Sequence, residues 1–229
     1  MATKDPYSTI KLAIIGGGSQ FVPSILNGLT EAMCAPGSPF RAQVALYDVR
    51  PAAAERQAQY AEVLARAHNL PLAADVPTHR DEALRGADLV LLSVWLAEEH
   101  RRAQALVQQV GIDPADDGPA QIAAALSLAP YCRQLGAGMA RLCPEALFIG
   151  LVNPTDILPP IVEGSSGVRS LGLCVEVEGL RGLLSYHLGL GRDELELDHV
   201  GVNHDGWVLR MRARGDDAYP LWAQAAARL

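Results

Sequence analysis

Ile10-Lys11-Leu12-Ala13-Ile14-Ile15-Gly16-Gly17-Gly18-Ser19-Gln20-Phe21 is the stretch whose reading decides the fold. Ile10–Ile15 is a short β-rich run, the glycines make a sharp turn, and a helical pattern runs on from Phe21 to about Glu31. Strand, Gly16-x-Gly18, then helix lets the backbone pass close to a pyrophosphate, whose charge the helix N-terminus then stabilises. The third position of the usual fingerprint is Phe21 rather than glycine, and glycines also make ordinary strand–helix turns. A second signal comes from Asp48, which closes the next strand, Val44–Tyr47. An acid at that point can accept both hydroxyls of an adenosine ribose. It lies 30 residues after Gly18, against a usual spacing of about 20, and Ala35–Phe40 (APGSPF) reads as a loop insertion that explains the delay. The plainer alternative is that Asp48 caps the helix opening at Pro51. Gly16, Gly18, Ser19, Gln20, Phe21 and Asp48 are therefore the candidate nucleotide contacts.

Outward from this core the chain alternates strands and helices. Pro51 opens an Ala-rich helix running to about His68, with proline suitably placed in its first turn. Asp75–Thr78 reads as a weaker third strand. Leu89–Val94 is continuously apolar, as expected of a parallel strand covered on both faces. A helix to Val110, a Gly/Pro/Asp loop and a second helix from about Pro119 to Leu142 follow. Phe148–Val152 and Leu171–Cys174 are further strands. Such alternation predicts an α/β chain with a Rossmann-like, doubly wound parallel sheet. Near residue 194 the character changes, because Glu194–Val202 and Val208–Ala213 read as strands with no helix between them. The expected organisation is a nucleotide-binding domain over 1–193 and the beginning of an α+β domain over 194–229.

Composition narrows the classes. At 229 residues, 49% of them hydrophobic, the chain can bury one full core and part of a second. A net charge of −7 argues against a nucleic-acid surface, which wants a basic stripe. Cys34, Cys132, Cys143 and Cys174 are irregularly spaced and fit a reducing cytoplasm better than a disulfide framework. Residues 1–9 carry no apolar run of signal-peptide kind, and no stretch reaches the ~18 apolar residues of a membrane span.

Three later positions carry chemistry. Asn153 closes the fifth strand in Asn153-Pro154-Thr155-Asp156, where an amide can meet a sugar or cofactor hydroxyl; it can equally stabilise its own turn. Cys174 ends the run SLGLC, and His204 sits in GVNHDGW. Thiolate and neutral imidazole together suit a transition metal of borderline softness, with positions left for substrate or water. A small buried cysteine and a hydrogen-bonded histidine beside Trp207 are the bland alternatives.

Taken in order, IIGGGSQF, LYDV, GADLVLLS, CPEALFIGLVNPTDIL, LGLC and GVNHDGW resemble the family-4 glycoside hydrolases, from Lys11 to about Pro220. The resemblance implies a cytoplasmic, NAD-dependent and metal-dependent enzyme that cleaves α- or β-glycosides, often 6-phosphorylated, and assembles as a homodimer or homotetramer. It implies hydride removal from sugar C3, elimination across C2 and C1, addition of water and return of the hydride, an exception to two-carboxylate hydrolysis. Cys174 and His204 are then the metal ligands, manganese being the expected ion, and Asn153 touches both sugar and cofactor.

The chain also departs from the family's pattern. Where members carry an Arg-Val-Gly-Gly-like stretch, it reads Trp95-Leu96-Ala97-Glu98. A Gly-Gln-Glu-Thr element and following glycines are reduced to Asp116-Asp117-Gly118-Pro119-Ala120. Loss of that arginine weakens the case for a phosphorylated sugar, since guanidinium is a preferred phosphate clamp. The family's tyrosine base is expected beyond Leu229, so the chain reads as a fragment or a truncated relative. Two other readings stand beside the glycosidase. One is a lactate/malate-dehydrogenase-like oxidoreductase, and the other is a non-catalytic NAD-binding relative.

Overall fold

A computed structural model of the chain describes residues 8–37, 40–94, 97–113, 117–202 and 204–228. Trp95, Leu96, Asp116 and Asn203, which the motif reading singled out, lie outside the described residues. The chain divides into two compact units, 1–172 and 173–229, and residue 194 falls within the second.

The first unit is built on β1 (Ser8–Ile15), β2 (Phe40–Tyr47), β3 (Leu72–Asp75), β4 (Leu89–Leu92), β5 (Leu147–Gly150) and β6 (Ser170–Gly172). They form one sheet in the order β3-β2-β1-β4-β5-β6, with every pair parallel. This is the expected doubly wound order, with the chain reversing direction of travel between β1 and β4. The helices are α1 (Val22–Cys34), α2 (Pro51–His68), α3 (Arg80–Leu84), α4 (Ala97–Gln109), α5 (Asp117–Leu142) and α6 (Leu158–Ser166).

Alternation along the strands sorts the apolar residues into two cores. Leu12, Ile14, Val44 and Leu46 pack with Val22 and Leu26 of α1 and Ala54 and Ala61 of α2. Ala13, Ile15, Ala45 and Leu92 pack on the other face with Leu84 of α3, Leu135 and Met139 of α5, and Val162 of α6. Burial on both faces is why these strands read as nearly continuous apolar runs.

Among the strand assignments that shift, β2 begins at Phe40 rather than Val44, within the stretch read as a loop insertion. The third strand is Leu72–Asp75, not Asp75–Thr78. Pro77 has no N–H for a ladder, whereas Leu72 to Asp75 pair in register with Ala42 to Ala45. The sixth strand ends at Gly172 and leaves Cys174 two residues beyond it. The closeness explains the glycine: a Cβ on Gly172 would collide with the Thr155 carbonyl.

The second unit holds α7 (Glu176–Leu188), the antiparallel strands β7 (Leu195–Val202), β8 (Asp205–Ala213) and β9 (Asp216–Asp217), and α8 (Tyr219–Ala226). Its core gathers Leu184, Leu195, Met211, Ala213 and Ala218. Among the described residues, no helix is long and apolar enough to cross a membrane.

Candidate functional site

The glycine turn is bonded tightly to the end of β2. The amides of Gly16 and Gly17 both donate to the Tyr47 carbonyl at 2.9 Å, and the Gly18 amide donates to Asp48 Oδ2 at 2.8 Å. The Arg50 amide donates to Asp48 Oδ1 at 2.8 Å. Asp48 thus ties the glycine turn to the loop before α2, and α2 itself carries no side-chain cap. The Ser19 amide donates to the Gly16 carbonyl and the Val22 amide to the Ser19 carbonyl, closing the turn into α1.

Steric demand accounts for the glycines. Gly16 has φ of +97°, and a Cβ there would run into the carbonyl of Ser93. A Cβ on Gly18 would sit 2.5 Å from that of Ala53 in α2 and 3.0 Å from Asp48 Oδ2. Phe21, at the third fingerprint position, is exposed, so no close helix–strand contact demands a glycine there. The sequence reading passed over Ser93, which is buried at the end of β4 and donates from Oγ to Ser19 Oγ at 2.9 Å. Its position at the close of an apolar strand beside the chain reversal was the available signal.

Asn153 follows β5 at the same carboxyl edge of the sheet. It is exposed, and its peptide bond to buried Pro154 is cis. The turn it opens is closed by Ile157 and Leu158 amides donating to the Pro154 carbonyl at 3.3 and 3.2 Å. The Asn153 side chain takes no part in those bonds.

The second unit brings Cys174 and His204 together. One ligand atom each from Cys174, Glu176 and His204 lie within 4.8 Å of one another, with Cys174 and Glu176 half-buried and His204 exposed. Cys174 precedes α7, and the Glu176 amide at the start of that helix donates to its sulfur at 3.4 Å. His204 sits at the tip between β7 and β8 with φ of +61°, and its amide donates to Glu176 Oε2 at 2.8 Å. Glu176 was missed in sequence, because an acid in a helix's first turn is ordinarily read as a partner of the helix dipole. The other thiols are differently placed. Burial pushes Cys132 and Cys143 up to about 11, so they remain neutral core residues, and Cys34 is exposed.

Residues 11–190 match the family model described as family 4 glycosyl hydrolase. The chain is similar to an alpha-glucosidase of Erwinia rhapontici, 27% identical over 219 residues that cover 91% of this chain and 48% of the relative. An alpha-galacturonidase of Bacillus subtilis (strain 168) is 26% identical over 235 residues, 95% of this chain and 50% of the relative. The chain therefore spans about half the length of the curated relatives it matches. In structure it resembles a 6-phospho-alpha-glucosidase from gut microorganisms in complex with NAD and Mn2+, with a TM-score of 0.77 at 18% identity over 96% of this chain and 51% of that one. Malate dehydrogenase from Cryptosporidium parvum shares the fold at a lower TM-score of 0.67, with 15% identity over 95% of this chain and 63% of that one.

Proposed function

The chain belongs to the family 4 glycosyl hydrolases, and from that premise we propose that it binds NAD and a divalent metal, manganese first, for cleavage of a small-molecule glycoside. The observation that carries the proposal is the meeting of Cys174 and His204, distant in sequence, within one cluster of metal-ligating atoms. The donor set fits such an ion. A thiolate, an imidazole and a carboxylate supply soft, borderline and hard donors, and the exposure of His204 leaves room for water or substrate oxygens.

Bound NAD supplies a hydride acceptor, and a bound divalent ion supplies Lewis-acid polarisation of sugar oxygens. The chain's own residues bind and orient. Gly16 and Gly18 let the turn pack against Ser93 and Ala53, and Ser19, Gln20 and Phe21 lead into the start of α1, whose positive end favours a pyrophosphate. Asp48 spends about two of a carboxylate's four lone-pair sites on Gly18 and Arg50. The rest serve the ribose hydroxyls. Asn153 presents its amide at the carboxyl edge to a sugar or cofactor hydroxyl. Cys174 and His204 hold the ion. Four unpaired cysteines support a cytoplasmic setting, and likeness to the family supports a homodimer or homotetramer.

The test is a calorimetric titration of NAD into the chain under reducing conditions, with and without manganese. The expected result is that each ligand strengthens binding of the other and that Cys174→Ala abolishes the manganese signal. NAD binding indifferent to manganese would favour the dehydrogenase-like reading. Binding of neither would leave a non-catalytic relative.

A further inference from the structure

Resting on the reading of Cys174 and His204 as metal ligands, we propose that Glu176 is a third protein ligand, so that this chain holds its ion with a thiolate, an imidazole and a carboxylate. The grounds are geometric. A carboxylate oxygen of Glu176 lies within 4.8 Å of both the Cys174 sulfur and a His204 ring nitrogen, a spread that one ion at ordinary bonding distances can span. The same carboxylate accepts the His204 amide at 2.8 Å, while the Glu176 amide donates to the Cys174 sulfur at 3.4 Å. Glu176 therefore contacts the Cys174 sulfur and the His204 backbone, tying the start of α7 to the tip of the β7–β8 hairpin.

A helix-dipole role explains an acid in the first turn, and Glu178 meets that description equally. It does not explain why the carboxylate of Glu176, and not that of Glu178, converges on a thiol and an imidazole. Charge supports the assignment as well. Thiolate and carboxylate together carry two negative charges, which balance a divalent cation, whereas a lone Cys–His pair leaves one positive charge over. An oxygen donor also shifts the site's preference toward ions that accept oxygen, manganese among them. With three protein donors, the ion binds before any sugar supplies its oxygens.

Glu176→Gln separates the two roles, because the amide oxygen can still accept the His204 N–H while the charge and the strong metal donor are lost. Manganese affinity of the sugar-free chain is measured by calorimetry, and the visible absorption of the cobalt-loaded chain reports the ligand set. Glu176→Gln is expected to melt at the wild-type temperature without metal and to bind manganese at least about tenfold more weakly, since losing even a group that only supports a metal ligand costs about that much. Its cobalt spectrum should change, and Glu176→Asp should recover part of the affinity. Unchanged affinity and spectrum in Glu176→Gln, alongside loss of metal in Cys174→Ala, would overturn the third ligand and leave Glu176 as a latch on His204. If the wild-type chain binds neither manganese nor cobalt, the Cys174–His204 site fails and the third ligand with it.

Discussion

Asp48 is gripped from two sides, by the Gly18 amide on one oxygen and the Arg50 amide on the other. The carboxylate is thus oriented without help from a nucleotide. Asp48→Asn keeps the shape but leaves a single acceptor oxygen and no charge. Hydrogen bonds to charged groups contribute about 1.5–3 kcal/mol, so NAD affinity should fall roughly tenfold to a hundredfold on titration. An unchanged affinity would reduce Asp48 to a support for the turn. Asp48 was legible in the sequence because an acid closing the second strand has a fixed relation to the glycine turn. Glu176 was not, since only the fold carries the tip of the β7–β8 hairpin to the start of α7.

At the scale of elements, the glycine turn and α2 approach as closely as small side chains allow. Ala53, Ala54 and Ala61 form the buried face of α2, and Ala53 stands where any Cβ on Gly18 would press. Ala53→Leu forces extra carbons into that contact. Overpacking of this kind costs about 1–3 kcal/mol, and both the melting temperature and NAD affinity should drop. A variant that loses stability yet binds NAD as the wild type does would show that α2 does not set the turn. The Ala-rich pattern and Pro51 announced α2 at its observed bounds, Pro51–His68. The short strands were less legible: β3 and β6 have few residues, and their limits follow from which neighbours pair with them.

Across the whole molecule, stability should decline in alkali. Burial raises Cys132 and Cys143 from the ordinary thiol value of 9.0 to about 11. A raised folded pKa means the neutral thiol is favoured in the native state. The contribution is complete below pH 9 and disappears as pH climbs toward 11. The urea midpoint should therefore fall over that window, and fall less in Cys132→Ala; an equal fall in both would assign the loss to other groups. What the sequence by itself determined is local or periodic: the alternation of buried strands and helices, the Gly16–Gly18 turn, the acid of Asp48, and the residue types at Cys174 and His204. These follow from spacing and side-chain chemistry, which neighbouring positions carry. What only the tertiary structure decided is which distant groups meet. Parallel pairing brings Ser93 against Ser19, helix docking sets Ala53 against Gly18, and the hairpin turn delivers His204 to Cys174 and Glu176. Such encounters depend on the cooperative packing of segments far apart in the chain, and no local pattern of residues encodes their distances.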